Sequence, residues 1–539
     1  MGISWSRLKR LWWGDTPAQD ENAESSLQST NKETVSNQQD VKEQEPPSVP
    51  CTMELRLMTE TDSPSRAPDA HTISIDGKHW TLSEPLDIDS ETLPQYVCVS
   101  YVWGSGRVPN PVHPSIEMSD RTLAAFAATA RCIPGRPIWI DAFCVPTERA
   151  KKRATLESLG FLFARADAVV SVLAPESLTA VEEMRDFLVI TPRPAKTPSA
   201  PLDVLEADEW IRSVWTYQEL VNSRSLWFTA HTPEGAAPQQ SVPGMQVLNT
   251  VGEYIDRWGR TDKLTLHNGI RLFYPHADNF QELLADWVTS DYGHRSALRI
   301  ICGMDYRAHI TPQNRFYSMI GALTARPSAR ATSPTVMQLA ERFMELSEEK
   351  GDYSFMFCTA PRDPRPGLGW RPIPSDFQSI LTWHCFGNEL PGKKVDEGVL
   401  LNDVIIFPLA ARRDPAEVQM EQELLDHIRL WMKHVADYHD VPEDVDASMT
   451  LQEKSYAVLK TMGFTGDGGW HTMEGCIFYP QTKLPEGAEG TICVSHGVRW
   501  VFGAPAIAAI TTGDAVQYVV GVAVIHMDYR SPTTEFLLR

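Results

Sequence analysis

One short stretch carries residues suited to chemistry on a sugar, and it runs Ser213-Val214-Trp215-Thr216-Tyr217-Gln218-Glu219-Leu220. Residues three and four apart share a helix face, so Trp215, Gln218 and Glu219 are predicted to project together, followed by Asn222. A carboxylate beside an indole and an amide can bind a ribose hydroxyl or stabilise a developing cation. The alternative is that Glu219 is a solvated helix residue and Trp215 belongs to the core. If the protein is an enzyme, Glu219 is the predicted catalytic residue.

Strands and helices alternate in the prediction before this stretch. The strands are apolar runs at 96–104, 137–141 and 168–173, and the helices lie at 122–130, 151–166 and 178–190. Such alternation predicts right-handed crossovers and a mainly parallel sheet. Ligands collect at the carboxyl ends of the strands in sheets of this kind. The predicted binding residues at those ends are Ser100, Tyr101, Trp103, Gly104 and Asp141.

Several of these residues also fit a structural role. Trp103 and Trp139 can belong to the core. Asp141 can cap the turn that follows its strand. Cys144 is predicted to be a buried structural thiol, because no histidine lies near it in the sequence. No convincing cluster of His and Cys ligands is found, so neither a metal nor a cofactor is expected.

The remaining elements divide into an early hairpin, a helical middle and a β-rich end. A strand is predicted at 53–58 and a hairpin at 71–82, turning at Asp76-Gly77. The later elements are helices at 244–258, 279–289, 314–323, 334–349, 415–437 and 451–462, then strands at 491–494, 498–502 and 517–525. These last strands predict a small sheet or a barrel-like cap.

Composition narrows the class of protein. The 539 residues are 42% hydrophobic and 22% charged, which is typical of a soluble protein with two or three domains. A net charge of −21 disfavours binding to nucleic acid, and no local basic patch opposes it. Nine cysteines without a C-x-x-C spacing favour reduced thiols in the cytoplasm. No apolar run approaches the roughly 18 residues that span a bilayer.

The first residues suggest contact with a membrane surface. Met1-Gly2-Ile3-Ser4-Trp5-Ser6 fits the pattern for N-myristoylation at Gly2, and basic and aromatic residues follow up to Trp13. One acyl chain binds a membrane only marginally, so a second signal of this kind favours peripheral attachment. A chance match is the alternative. Residues 16–50 are polar and almost free of aromatics, which predicts a disordered tether.

Three blocks together carry a family resemblance. Ser-Tyr-Val-Trp-Gly at 100–104, Trp-Ile-Asp-Ala-Phe-Cys at 139–144 and Trp-Thr-Tyr-Gln-Glu at 215–219 resemble, in order and spacing, the signature blocks of the fungal heterokaryon-incompatibility (HET) domain. The chain departs from the family pattern at Val145-Pro146-Thr147 and at Ser213. Members of this family resemble, more remotely, the TIR domains.

The resemblance implies a fold and a function. The fold would be a TIR-like, flavodoxin-like α/β sheet with flanking helices, followed by a C-terminal α+β accessory region. The catalytic TIR domains cleave NAD at the nicotinamide–ribose bond with a helical glutamate, which by analogy is Glu219. NAD would then be a substrate held by the site residues already named and by Trp215 and Gln218. Self/non-self recognition that triggers programmed cell death is the implied role.

The predicted domains are a tether at 1–50, a HET domain at 51–235, a mostly helical region at 236–465 and a β-rich region at 466–539. The rival function is a non-catalytic module that signals through protein partners or self-association. A cleft that contains Glu219 beside Ser100 and Asp141 favours catalysis, whereas a Glu219 in open solvent favours assembly. Fold alone does not choose between them.

Overall fold

The computed structural model describes residues 53–62, 72–191, 196–231, 240–261, 273–289, 295–304, 306–323, 334–409, 450–473, 476–500, 502–513, 515–525 and 533–539. Acylation of Gly2, membrane contact by residues 2–13, the tether at 1–50 and the helix at 415–437 lie outside these ranges, so they stay predictions. Within the ranges, no helix is both long enough and apolar enough to cross a membrane.

The part of the chain up to Pro243 alternates between strands and helices. The strands are β1 (Met58–Thr61), β2 (Thr72–Ile75), β3 (Lys78–Leu82), β4 (Val97–Ser100), β5 (Arg107–Pro109), β6 (Glu117–Ser119), β7 (Ile138–Trp139), β8 (Ala168–Leu173), β9 (Leu226–Ala230) and β10 (Val242–Pro243). The helices are α1 (Thr122–Cys132), α2 (Asp141–Cys144), α3 (Arg149–Glu157), α4 (Leu159–Arg165), α5 (Pro175–Ile190), α6 (Ala200–Ala207), α7 (Glu209–Arg212) and α8 (Trp215–Val221).

The first sheet has the strand order β10-β9-β8-β4-β7-β1-β3-β2. Its centre is parallel, because β4 pairs in parallel with β7 and with β8, and β8 pairs in parallel with β9. Every residue of β4 and β8 is buried, as expected for strands covered on both faces. The centre of the sheet therefore agrees with the predicted strand and helix alternation.

The edges of this sheet are antiparallel, so the predicted mainly parallel sheet is corrected to a mixed one. The β2–β3 hairpin turns at Asp76 and Gly77, whose φ angles of 50° and 76° suit a two-residue hairpin loop. A loop this short can join only antiparallel neighbours. Strand β1 then joins the hairpin to β7 in antiparallel pairing, and it lies at 58–61, later than the predicted 53–58.

Strand β4 is the point at which the sheet reverses its direction of growth. The chain passes from β4 to β7 on one side and then crosses to β8 on the other side. In open α/β sheets, a crevice suited to ligands forms at such a reversal, beyond the carboxyl ends of the strands. The topology therefore singles out the space beyond Ser100 and Trp139.

Helices continue the chain after β10 and pack against the first sheet and against α8. They are α9 (Gly244–Thr261), α10 (Pro275–Thr289), α11 (Ala297–Gly303), α12 (Pro312–Leu323), α13 (Val336–Lys350) and, further on, α14 (Leu451–Thr461). The predicted helices inside the described ranges are confirmed to within a few residues at each end. Helix α8 contacts α4, α10 and α12 as well as β4 and β8, so it lies between the sheet and the later helices.

A second, antiparallel sheet is built from the later part of the chain. Its strands and the small β11–β17 pair are β11 (Cys385–Phe386), β12 (Gly392–Val395), β13 (Gly398–Leu409), β14 (His471–Met473), β15 (Cys476–Pro480), β16 (Gly490–Ser495), β17 (Arg499–Trp500), β18 (Ala504–Thr512), β19 (Ala515–Ile525) and β20 (Thr534–Leu538). The order is β12-β13-β16-β18-β19-β15-β14, with β20 paired to β13. Strands β13 and β14 approach each other, so the sheet curls around its own apolar core, which agrees with the barrel-like prediction.

Candidate active site

Helix α8 presents two side chains to a cavity and buries the others. Thr216, Tyr217, Gln218, Leu220 and Val221 are buried, whereas Trp215 and Glu219 are half-buried and line the cavity. Because Trp215 and Glu219 are four residues apart, they lie on the same helix face. The predicted pairing of this indole and this carboxylate is therefore present.

A chain of hydrogen bonds fixes the Glu219 carboxylate. Ser100, the last residue of β4, donates its hydroxyl to Glu219 Oε2 at 2.5 Å. Trp210 Nε1 donates to Ser100 Oγ at 2.9 Å, so this hydroxyl has its own donor and its proton points to Glu219. Asp208 caps α7 by accepting the backbone N–H of Trp210 at 2.7 Å, which holds the indole in place. The strand end and the cap together orient Glu219.

The pKa of the Glu219 carboxyl lies close to neutral pH. Burial raises its pKa from 4.5 to about 8, the Ser100 hydrogen bond opposes this rise, and the charge of Asp141 adds to it. No lysine or arginine of the described residues is paired with this carboxylate. Desolvation without an opposite charge is the combination that raises a carboxyl pKa most. Glu219 is therefore a carboxyl group whose environment lacks a cation.

Asp141 holds two aromatic side chains of the β4 loop. Tyr101 donates its hydroxyl to Asp141 Oδ1 at 2.9 Å, and Trp103 Nε1 donates to Oδ2 at 2.7 Å. The backbone N–H of Ala142 also donates to Oδ1, at 2.6 Å. Burial raises the pKa of Asp141, while these three hydrogen bonds and the charge of Lys152 lower it. Both proposed roles are thus combined, since Asp141 begins α2 and also borders the cavity.

The cavity has a volume of about 730 Å³ and lies beyond the carboxyl ends of β4 and β7. It joins residues of all three sequence blocks with a wall from the later part of the chain. The lining includes Tyr101, Trp103, Gly104, Trp139, Asp141, Val145, Pro146, Thr147, Lys152, Leu156, Glu209, Arg212, Ser213, Trp215, Glu219, Ala308, His309, Ile310 and Asn314. Its size falls within the roughly 300–1,000 Å³ of small-molecule sites.

Exposed cations surround the mouth of this cavity. Arg107, Lys152 and Arg212 are exposed and belong to its lining. The Arg107 guanidinium lies 5.4 Å from the centre of the Trp103 ring, a cation–π geometry that orients the indole. The carboxyl groups of Glu219 and Asp141 lie deeper. The exposed Glu209 also belongs to the lining, but it is paired with Arg121. The cavity therefore offers carboxyl groups inside and mainly unpaired positive charges among its exposed residues.

Gly104 allows the β4 loop to turn tightly beside Trp103. Its φ of 60° lies in the left-handed region, and a Cβ added here would lie 2.7 Å from the Arg121 guanidinium carbon. Ser119 donates its hydroxyl to the carbonyl of Trp103, which fixes the loop from the other side. Gly104 thus has a conformational role in shaping the cavity wall.

Two predicted aromatic residues combine packing with exposure to the cavity. Trp139 is almost fully buried and packs edge-on against Phe163, yet it contributes to the lining. Trp215 stacks on Tyr317 of α12, with ring centres 6.3 Å apart and planes 14° from parallel. Cys144 is buried and burial raises its pKa to about 12, so its thiol is structural.

Gln218 does not lie with Glu219. Its side chain is fully buried against Gly321 of α12, where an added Cβ would lie 1.6 Å from Gln218 Oε1. Consecutive helix residues point about 100° apart, so Gln218 turns away from the cavity that Glu219 faces. Asn222 likewise points to α12 and donates to the Gly321 carbonyl at 2.8 Å. The predicted amide of the site is therefore a packing residue.

The rear of α8 is fixed by buried charges from the later helices. Tyr217 donates its hydroxyl to Asp286 Oδ2 at 2.9 Å, and Arg299 Nε donates to Asp286 Oδ1 at 2.5 Å. Arg307 donates to the Ser213 carbonyl at 3.0 Å and lies 5.5 Å above the Tyr217 ring. Arg295 donates to the Val221 carbonyl at 3.0 Å, at the other end of the helix.

Sequence reasoning missed several residues of the site. Trp210 lies just before the signature stretch, but an indole donor to a distant serine has no local pattern. Lys152 and Arg212 are exposed charges of a kind found all over a protein surface. The wall at 308–310 is placed by backbone bonds, since Val214 N donates to the Ala308 carbonyl at 3.0 Å. Only the long-range pairing of chain segments brings these residues together.

Residues 96–219 match the family model described as Heterokaryon incompatibility protein (HET). We call this part the HET segment. It begins at Tyr96, just before β4, and ends at Glu219, and the match indicates a role in heterokaryon incompatibility. No curated protein and no solved structure matches the chain. Within the described residues, no cluster of three or more His, Cys, Asp or Glu could hold a metal ion.

Proposed function

We propose that the cavity of the HET segment hydrolyses NAD to nicotinamide and ADP-ribose, with Glu219 as the catalytic carboxylate. The observation that carries the proposal is a desolvated carboxyl group, hydrogen-bonded by Ser100 at 2.5 Å and without a protein cation, inside an aromatic cavity. The nicotinamide ring of NAD is itself a cation. Its binding would supply the missing charge and favour the ionised form of Glu219.

The chemistry requires little more than this carboxylate. When the nicotinamide–ribose C–N bond breaks, its electron pair leaves with the nicotinamide nitrogen and the ribose carbon becomes oxocarbenium-like. The Glu219 carboxylate stabilises this cation or polarises a ribose hydroxyl. Water then adds to the ribose carbon and its proton passes to solvent. NAD is the substrate in this proposal, and no additional cofactor takes part.

The distribution of charge supports a dinucleotide rather than a simple cation. The exposed Arg107, Lys152 and Arg212 at the rim can contact the two phosphates of NAD, since guanidinium groups and ammonium groups both bind phosphate. Trp103 and Trp215 border the same space and offer faces for a planar ring. A ligand that is cationic at one end and anionic in its middle fits both features.

The strand order supports the TIR-like part of the proposal. The parallel strands are arranged β7-β4-β8-β9, which corresponds to the order 2-1-3-4 of a flavodoxin-like sheet. In such sheets the ligand lies at the reversal point, and the Glu219 cavity lies beside β4. In the cell, loss of NAD would kill, which is our proposed output of a self/non-self recognition protein.

The decisive experiment is an NAD assay on the purified full-length protein. We expect the wild type to release nicotinamide from NAD and Glu219→Gln to lose at least 100-fold in rate, since transition-state charge stabilisation is worth roughly 10²–10³. The control is Glu183→Gln, an exposed glutamate of α5 outside the cavity, which should match the wild type. Expressed in cells, the wild type and Glu183→Gln should deplete NAD, whereas Glu219→Gln should spare it.

A second candidate function is signalling by assembly, which an exposed apolar residue favours. Ile310 borders the mouth of the cavity and is 93% exposed, an unusual position for an isoleucine. A partner or a second copy of the chain would cover it. The test compares cell killing by Ile310→Asp and Glu219→Gln, provided that both fold. Assembly is favoured if Glu219→Gln still kills and Ile310→Asp does not. Catalysis is favoured if Ile310→Asp still kills and Glu219→Gln does not.

A further inference from the structure

A second large cavity lies at the opposite end of the first sheet. Its volume is about 770 Å³, and it opens near the amino ends of β8 and β9, whereas the Glu219 cavity lies beyond the carboxyl ends of β4 and β7. The two cavities share no lining residue. Those of the second that matter here are Arg165, Arg224, Trp227 and Trp287. The family match and the proposed reaction assign nothing to this space.

Two arginines at this cavity lack acidic partners. Arg165, the last residue of α4, donates one N–H to the Ile88 carbonyl at 3.2 Å, and its Nε is buried without a hydrogen-bond partner. Arg224, between α8 and β9, is exposed. Neither forms an ion pair with any carboxylate of the described residues, although the chain carries 70 Asp and Glu against 49 Lys and Arg.

The guanidinium groups of Arg165 and Arg224 border the same cavity. Against the effect of burial, their charges both lower the pKa of Tyr96. Two neighbouring guanidinium groups repel each other unless an anion lies between them. Because guanidinium groups bind phosphate oxygens through paired N–H donors, a phosphate suits this pair.

Two indoles form the apolar part of the cavity. Trp227 of β9 and Trp287 of α10 are half-buried, and the Trp287 ring is fixed because its Nε1 donates to the Ser223 carbonyl at 2.8 Å. Fixed indole faces stack well on planar rings. The volume suits a molecule of mononucleotide size.

We propose that this second cavity binds an aromatic phosphate of the nucleoside monophosphate class. Arg165 and Arg224 hold the phosphate, and Trp227 and Trp287 hold the ring. This binding is independent of the proposed NAD hydrolysis, because the site contains no residue of the Glu219 cavity.

The test is calorimetric titration of the full-length protein with AMP. We expect binding by the wild type, with weaker binding of adenosine and of inorganic phosphate, each of which lacks half of the ligand. Arg165→Gln/Arg224→Gln should weaken AMP binding at least tenfold, since hydrogen bonds to charged groups contribute roughly 1.5–3 kcal/mol. Arg224→Gln alone changes an exposed residue, so it tests the site even if the double variant does not fold.

Matched controls separate this site from the Glu219 cavity. Arg185→Gln removes a partly exposed arginine of α5 outside both cavities and should leave AMP affinity unchanged. Glu219→Gln should also bind AMP normally. The proposal is wrong if the wild type does not bind AMP at millimolar concentration, if Arg224→Gln binds as tightly as the wild type, or if Arg212→Gln removes the binding instead.

Discussion

A half-buried carboxyl group, Glu219, and a fully buried one, Asp286, lie on opposite sides of helix α8 and have opposite electrostatic environments. Glu219 faces the cavity and accepts a hydrogen bond from Ser100, and burial raises its pKa to about 8. Asp286 lies behind the helix and accepts a hydrogen bond from Tyr217, and its pKa is lowered although burial acts to raise it. The main difference is Arg299, whose guanidinium is paired with Asp286, and the charges of His384 and Arg295 lower the pKa of Asp286 further.

Asp286 is a structural carboxylate, whereas Glu219 is the carboxylate for which we propose a function. Burial raises the pKa of both groups and both accept a hydrogen bond from a hydroxyl, so these two features alone do not explain the opposite shifts. A protein that needs a permanent charge supplies its partner, as Arg299 does for Asp286. A site that binds a cation leaves the carboxylate unpaired until the ligand arrives. The pair therefore predicts which substitutions break the fold and which change only the site.

The largest expected effect is on the paired side. Arg299→Leu leaves the Asp286 charge buried and uncompensated, and we expect it to lower the free energy of unfolding by roughly 3–5 kcal/mol. The measurement is urea unfolding followed by circular dichroism. Arg299→Leu/Asp286→Leu should be more stable than the single variant, because no charge is left alone. Lys78→Ala, which removes an exposed ion pair with Glu60, should cost about 1 kcal/mol or less.

On the unpaired side, Glu219→Gln should change how stability depends on pH. The folded pKa of about 8 lies above the ordinary 4.5, so the folded state binds the proton more tightly and wild-type stability falls as pH rises from 4.5 to 8. Glutamine has no such loss. At pH 9 we expect the variant to exceed the wild type by up to about 5 kcal/mol, and at pH 4 to match it.

The paired measurement is urea unfolding of both proteins at pH 4, 7 and 9. A stability difference that stays constant over this range would show that Glu219 titrates normally and would remove the basis of the comparison. The activity should follow the same group. If the ionised carboxylate is the active form, NAD hydrolysis at low substrate concentration rises with pH through about 8.

An effect of intermediate size is expected at the backbone contact between α4 and α12, the two helices that pack against α8. Gly160 of α4 and Gly321 of α12 approach so closely that a Cβ on Gly160 would lie 1.8 Å from the Gly321 carbonyl oxygen. Gly160→Ala must separate the two helices. We expect the free energy of unfolding to fall by roughly 1–3 kcal/mol, and the pH dependence of stability that Glu219 causes to become weaker. Thermal unfolding measures the first and the pH profile the second. Unchanged stability would mean that the helices separate without cost.

The sequence was informative where local patterns and burial agree. The strand predicted at 168–173 coincides with β8, because an apolar run interrupted only by Ser171 and followed closely by Pro175 is typical of a strand buried on both faces. Ser100 and Glu219, 119 residues apart, are both predicted site residues, one from its strand end and one from its helix, and the structure brings them into hydrogen-bond contact. General rules of sheets and helices were sufficient for these residues.

The remaining features depend on distant contacts. The prediction misses strand β13 because Asn402, Asp403 and Pro408 are unfavourable in strands. The structure accommodates Asn402 and Asp403 with a register shift between Leu401 and Val404. The prediction places Gln218 on the wrong helix face, because the stretch around it contains no signal for α12 behind the helix. The same holds for Arg299, whose partner Asp286 has no sequence signal.

The smallest expected effect refines the role of the hydroxyl. Ser100 lowers the pKa of Glu219 against burial, so Ser100→Ala should raise that pKa further above 8, by about one unit for a hydrogen bond worth roughly 1 kcal/mol. The pH at which wild-type and Glu219→Gln stabilities diverge should then move upward in the Ser100→Ala background. Tyr217→Phe is the matched change behind the helix, where Arg299 still holds Asp286 ionised. If Ser100→Ala raises the pKa of Glu219 and Tyr217→Phe changes the pKa of Asp286 by the same amount, the Arg299 cation is not what distinguishes the two sides of α8.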